Sequence, residues 1–181
     1  MRVRLRAPGP RDEEMFLEAA RGSRAFLRPW VTPPATPAAY RAYLGRLDRA
    51  THEGRLVVLR ESGELAGVIN VSEIVRGGFQ SGYLGYYAFI PHAGQGYMTE
   101  GLALALRWVF GEMRLHRVEA NIQPGNEASL ALVRRLGFRR EGMSPRYLKI
   151  AGRWRDHERW AISAEDWRSL RRSRPASRPF S

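Results

Sequence analysis

The sequence predicts an α/β (α+β) fold, one domain with a mixed sheet and helices on both of its sides, and three observations carry that expectation. Apolar runs and amphipathic stretches alternate in the order β-α-α-β-β-β-α-β-α-β-β. A length of 181 residues with 44% hydrophobic side chains suffices for one domain with a substantial core. No stretch reaches the roughly 18 consecutive apolar residues of a membrane-spanning helix, so no membrane association is expected.

Val3 to Arg6 alternates apolar and charged side chains, as a half-buried strand does, and lacks the apolar run of a secretion signal; the expected location is cytoplasmic. Pro10 opens a helix whose first turn holds Asp12, Glu13 and Glu14, the sign that the positive end of a helix dipole favours. Pro29, Pro33, Pro34 and Pro37 break the chain into a loop around Trp30. Thr36 reads as an N-cap with Pro37 at the first helical position; Tyr40, Tyr43, Leu44 and Leu47 follow at helical spacing, and Gly54 is expected to stop this helix. Residues 56–59, 65–74 and 83–90 read as neighbouring antiparallel strands. After a glycine-bearing loop, a helix over 99–113 presents Leu102, Leu106 and Val109 on one face. Residues 117–122 form a strand, 126–136 a helix and 138–141 a strand, while 147–150 and 158–162 flank Gly152 as a closing hairpin. Residues 1–170 are expected to be the single domain, and 171–181 a basic, disordered tail.

The absence of cysteine excludes disulfides, thiolate catalysis and Cys-ligated zinc. The four histidines, at 52, 92, 116 and 157, show no metal-ligand spacing, so no metal is expected. The net charge is +12, with Lys149 the only lysine. Such a field favours polyanions: phosphorylated cofactors, RNA or ribosomes.

Two segments carry chemistry. In Ala93-Gly94-Gln95-Gly96-Tyr97-Met98-Thr99, between a strand and a helix, glycines let several backbone N–H groups approach a ligand. The orphan N–H groups and positive dipole end of the following helix suit a pyrophosphate. Two glycines before a helix also serve as an ordinary tight connection. No Gly-Lys-Ser/Thr follows, so this is not a Walker loop, and it lacks the third glycine of the dinucleotide fingerprint. In the second segment Asn126 caps a helix ended by Gly137, Leu130, Val133 and Leu136 form its buried stripe, and Ser129 lies one turn in. Read alone, Asn126 is only a cap and Ser129 a solvated residue.

Together, about 30 residues apart across one strand, these segments make the chain resemble the GNAT acetyltransferase superfamily, whose phosphate loop reads Gln/Arg-x-x-Gly-x-Gly/Ala. Within it the chain is similar to the RimJ/RimL-type ribosomal-protein N-terminal acetyltransferases, the RimJ side most, through residues 75–79, 82–86, 94–100, 116–118, 126–138 and Gly152-Arg153-Trp154-Arg155-Asp156-His157. The pattern's first position is Ala93 here and its last is Met98, which removes a side-chain donor and is expected to weaken phosphate binding modestly.

The resemblance implies a GNAT fold, a mostly antiparallel sheet of about six to seven strands splayed at the cofactor site. It implies direct transfer of acetyl from acetyl-CoA to an amine without an acyl-enzyme. A backbone N–H near Phe89 or Ile90 would polarise the thioester carbonyl, Gly94, Gln95, Gly96, Tyr97, Met98 and Thr99 would hold the pyrophosphate, and Asn126 would bond the pantetheine arm. Ser129 matches the position that protonates the departing thiolate in RimL-like relatives. Glu73, Glu119, Asp156 and His157 are base candidates, each also readable as a structural or surface ion-pair partner. Tyr86 and Tyr147 would line the acceptor cleft or act through water, though aromatics on strands also serve as core; Glu100 would serve the helix dipole and packing. The implied acceptor is a protein N-terminus, a ribosomal protein in particular. The alternatives are a small amine (antibiotic, polyamine or amino acid), or a non-catalytic GNAT-fold module that binds RNA or ribosomes through its basic surface. A monomer and a homodimer are both compatible with the family.

Overall fold

The computed structural model describes residues 1–173. The alternating runs condense into one sheet of seven strands: β1 (Val3–Arg6), β2 (Glu53–Leu59), β3 (Leu65–Val75), β4 (Ser81–Ala88), β5 (Arg117–Ile122), β6 (Arg139–Ile150) and β7 (Arg153–Ser163). Their spatial order is β1-β2-β3-β4-β5-β7-β6. Every neighbouring pair is antiparallel except β4 and β5, which run parallel.

Period-two alternation sends successive side chains to opposite faces, and each face has its own core. Leu56 and Val58 of β2 meet Phe16, Leu17, Tyr40 and Tyr43 from α1 (Glu13–Gly22) and α3 (Pro37–Leu47), joined by Leu27 of the short α2 (Arg24–Leu27). Val57 and Leu59 turn the other way, toward Leu102, Leu106 and Val109 of α4 (Tyr97–Gly111) and Leu130 and Val133 of α5 (Glu127–Arg135). Helices therefore cover both sides, as the sequence predicts. Thr36 caps α3, its Oγ1 accepting the Ala39 N–H at 3.2 Å. Among the described residues no helix is long and apolar enough to cross a membrane.

The structure departs from the sequence reading in several elements, among them the short α2 and the earlier starts of β2 and β7. The second long helix ends at Leu47, not Gly54. Gly54 is a β2 residue, and Tyr43 Oη and Leu47 fill the space its side chain would need. The fourth strand covers 81–88 rather than 83–90. Gly96, left-handed at φ 82°, starts α4 two residues earlier than expected. The separate runs 138–141 and 147–150 are one strand, β6, interrupted by irregularities between Arg140 and Gly142 and between Ser144 and Leu148. A final helix, α6 (Ala164–Ser173), was not anticipated, because its arginines masked the single buried anchor Trp167. Residues 171–173 of the expected tail close this helix; the rest of that tail, 174–181, lies outside the described residues.

Gly67 of β3 marks the closest approach between the sheet and the α4 side. A Cβ there would stand 2.6 Å from Tyr87 O and collide with Met98 Sδ. Gly67→Ala is expected to cost about 2 kcal/mol, roughly 4–8 °C in Tm. A melting curve within a degree of wild type would show the packing to be more compliant than this geometry implies.

Candidate active site

Parallel pairing between β4 and β5 extends only from Ser81↔Arg117 through Gly82↔Val118 to Tyr83↔Glu119. Beyond that the strands part, and a cavity of about 450 Å³ opens, with Leu84, Tyr86 and Ala88 on one wall and Ala120 and Ile122 on the other. The Phe89 N–H donates to Ala66 O at 2.9 Å, so alternation turns the amides of Tyr87 and Gly85 toward β3 and those of Tyr86 and Ala88 toward the gap. The amides of Phe89 and Ile90, the expected thioester polarisers, are already engaged. The second donates to Ser23 Oγ at 2.9 Å, and neither residue lines the cavity. Neither amide is left for a thioester carbonyl, and on β4 the amides not turned toward β3 are those of Tyr86 and Ala88.

The loop before α4 borders the same cavity through Gly94 and Gly96, and the first turn of α4 through Met98 and Thr99. Gly94 and Gly96 sit at φ 78° and 82°, a region that costs a side-chain-bearing residue roughly 1–2 kcal/mol. Gln95 and Tyr97 do not line the cavity; their side chains build the loop instead. Gln95 Nε2 donates to Pro91 O at 2.8 Å. The Arg2 guanidinium lies 4.5 Å from the centre of the Tyr97 ring, donates to Gln95 O at 3.0 Å, and pairs with Glu100 at 2.6 Å. Glu100 is 5% exposed and also accepts the Arg2 backbone N–H. A cation from just before the first strand thus stands beside the loop in which Ala93 supplies no donor. Nothing in the spacing of the sequence connects Arg2 with residues 95–100.

Asn126 Oδ1 accepts the Ser129 N–H at 3.3 Å, fixing the start of α5, and both residues line the cavity. Tyr86 Oη donates to Ser129 O at 3.3 Å. Burial pushes the Tyr86 phenol well up and its hydrogen bond with the Ser129 side chain offsets only part of this, so it stays protonated. Tyr147 lies outside the cavity lining, its ring 6.3 Å from that of His157. Its hydrogen bond with Tyr83, followed by burial, pushes the Tyr83 phenol up to about 12. Glu73 is not brought to the site. It occupies an irregular stretch of β3 at φ 49°, exposed, 3.8 Å from His52. Glu119 pairs with Arg117 at 3.2 Å, and Asp156 Oδ1 accepts the Arg146 N–H at 2.7 Å; neither lines the cavity.

His157 does line it. The ring is 2% exposed, its Nδ1 lies 2.9 Å from Arg155 O, and burial holds its pKa below the ordinary 6.5. A carbonyl only accepts, so Nδ1 carries the proton and Nε2 keeps its lone pair. On this side of the sheet Phe26, Trp30, Val31, Leu148 and Ile150 form apolar walls, with Asn70, Asn121 and Gln123 as the other polar groups. Asn121 Oδ1 is buried without a hydrogen-bond partner, and Gln123 Nε2 reaches Pro29 O and Trp30 O at 3.3 and 3.2 Å. Asn70, Asn121 and Gln123 escaped the sequence reading, being single amides on strands or at a strand end. Among the described residues no Asp or Glu lines the cavity.

A family model described as an acetyltransferase (GNAT) domain matches residues 2–139. The [Ribosomal protein uS5]-alanine N-acetyltransferase of Escherichia coli K12 is 34% identical over 174 residues, covering 92% of this chain and 90% of that protein. The structure of Mycobacterium smegmatis RimJ in complex with CoA-disulfide superposes with a TM-score of 0.83 at 28% identity, covering 91% of this chain and 83% of that one. Spermidine N-acetyltransferase from Vibrio cholerae, in complex with CoA and spermine, shares the fold at a TM-score of 0.78 and 19% identity, over 92% and 98% of the two chains.

The Arg2–Glu100 pair yields a test of the loop. Arg2→Ala strands a buried carboxylate, and since Arg2 is half exposed the expected cost is about 1–2 kcal/mol. Adding Glu100→Gln should recover part of that loss in thermal melts; additive losses would mean that the two side chains are energetically independent.

Proposed function

The chain belongs to the GNAT acetyltransferases and is an N-acetyltransferase, and on that premise we propose that it moves acetyl from acetyl-CoA onto the N-terminal α-amine of a protein, a ribosomal protein being the candidate. One observation carries this reading: a single cavity joins the anion-ready loop to an acceptor side without any carboxylate. A polyamine brings several ammonium groups, which are costly to bury without counter-charges. An α-amine, with a pKa near ~8, is already about one-tenth neutral at pH 7 and needs none. The uS5-alanine specificity named for the Escherichia coli relative supports the same choice.

Each residue then has a part. Backbone N–H groups of the 94–98 loop and the positive end of α4 hold the pyrophosphate. The amides of Tyr86 and Ala88 continue the β4 ladder onto the pantetheine arm and the thioester carbonyl. Asn126, already the α5 cap, offers its side-chain N–H groups to the same arm. The amine nitrogen attacks the thioester carbon, the C–S bond breaks, and the ammonium proton passes to His157 Nε2, directly or through water. The Ser129 hydroxyl relays a proton to the departing thiolate, taking one from water as it gives one, while Tyr86 Oη donates to the Ser129 carbonyl and holds that turn of α5 in place.

Purified protein with acetyl-CoA and short peptides tests the acceptor. Free N-termini beginning with Ala, Ser or Thr should be acetylated, while blocked N-termini, internal lysines and spermidine should not; turnover of spermidine alone would overturn the α-amine reading. His157→Gln is expected to lower kcat about 10–100-fold with little change in the KM for acetyl-CoA. Because His157 must be neutral to accept a proton, and burial lowers its pKa, the wild-type kcat should have an acid limb below pH 6.5. The variant should lack that limb; an unchanged profile would assign the proton to another acceptor.

A further inference from the structure

Charge on the β6–β7 hairpin is distributed unevenly. Toward its base, Arg139 pairs with Asp166 at 3.4 Å and Arg140 with Glu158 at 2.8 Å. Around its turn, Arg146, Lys149, Arg153 and Arg155 stand against the single carboxylate of Asp156. Among the described residues none of these four cations forms an ion pair, and one oxygen of Asp156 is held by the Arg146 backbone N–H. The uncompensated end is the one beside the active site, since Leu148 and Ile150 form part of the cavity wall.

A second, open hollow of about 300 Å³ lies here, lined by Gln123, Pro124, Trp154, Arg155 and Asp156. It shares Gln123 with the main cavity. Gln123 Nε2 is committed to the carbonyls of Pro29 and Trp30. Of the remaining lining residues Arg155 brings the cationic donor group, while the Asp156 carboxylate has one oxygen tied to the Arg146 N–H. Trp154 is 61% exposed, a large apolar face left in water at the mouth of a polar pocket.

We propose that this hollow is a specificity subsite that receives an acidic side chain of the acceptor protein, a few residues in from the amine being acetylated. The inference rests on the α-amine reading above. A planar guanidinium takes a carboxylate in a two-pronged, charge-assisted geometry. An extended acceptor advances about 3.4 Å per residue, so a chain leaving the cavity past Gln123 meets Arg155 within its first few residues. Selection by a local acid also removes the difficulty that a protein of net charge +12 repels basic partners: the acid beside the N-terminus steers docking whatever the total charge of the acceptor.

The test is a scan of Ala- and Ser-initiated peptides with one Glu, Gln or Lys placed in turn at positions two to six, read as kcat/KM under acetyl-CoA saturation. Wild type should prefer Glu over Lys by roughly tenfold at one or two adjacent positions, and added salt should shrink that ratio. Arg155→Glu keeps the backbone carbonyl that holds His157 and should invert the preference; Arg155→Gln should abolish it. Stabilisation of each variant by acetyl-CoA in a thermal melt checks that fold and donor site survive. Equal turnover of the Glu, Gln and Lys peptides, or a Glu preference retained in Arg155→Glu, overturns the subsite while leaving α-amine transfer intact. Acetylation of no peptide N-terminus overturns both. Arg155→Glu that weakens retention of an RNA oligonucleotide but leaves the peptide ratios unchanged assigns the hairpin to nucleic acid and overturns the proposal.

Discussion

The parting of β4 from β5 after Tyr83↔Glu119 is the constraint on which the rest of the molecule depends. A parallel pair normally continues its ladder, because backbone groups left unpaired in a buried place are costly. Here the ladder stops while both strands run on, β4 to Ala88 and β5 to Ile122. The separation is held from outside. β3 secures the far edge of β4 as far as Ala88, and β7 pairs with β5 along its whole length, from Arg117↔Ser163 to Ile122↔Glu158. The gap is therefore held open from both edges, and its unpaired amides offer a third strand-like molecule a place in the sheet.

Both faces of the sheet are then given different work by the same opening. On the α4–α5 side the groups around the gap are backbone amides, a helix N-terminus and the Asn126–Ser129–Tyr86 cluster, all suited to a long polar arm ending in phosphates. On the α1–α3 side the walls are apolar, with side-chain amides and one neutral imidazole. A reaction in which a nucleophile enters opposite its acyl donor needs this two-sided access, and a splayed sheet supplies it without a hinge.

Charge is managed locally within a strongly basic chain. Glu100 is buried because Arg2 and its backbone N–H both satisfy it, and Asp12 is buried because Arg6 and the Gly9 N–H do. Burial alone would raise the Asp12 carboxyl; the bonds from Arg6 and Gly9 outweigh it and hold the group below its ordinary range. Arg2 immediately precedes β1 and Arg6 ends it, so the two ends of the first strand fasten α4 and the start of α1.

Much of this was legible in the chain itself. Two glycines before a helix, an Asn cap, a Gly stop and alternating strands are local features, and local physics sets them: left-handed φ, orphan N–H groups and period two. They sufficed for fold class and family. What the tertiary structure alone decided are the meetings between distant segments. Arg2 beside Gln95, Asn70 and Asn121 on one wall, and Arg155 beside Gln123 share no periodicity a sequence can display. Which of Glu73, Glu119, Asp156 and His157 lines the cavity was equally beyond reach, because a titratable side chain looks the same in solvent, in an ion pair or in a cavity until its neighbours are known. The expected amides at Phe89 and Ile90 failed for a related reason: which N–H faces a gap depends on strand register, and register is settled by the partner strand, not by the strand itself.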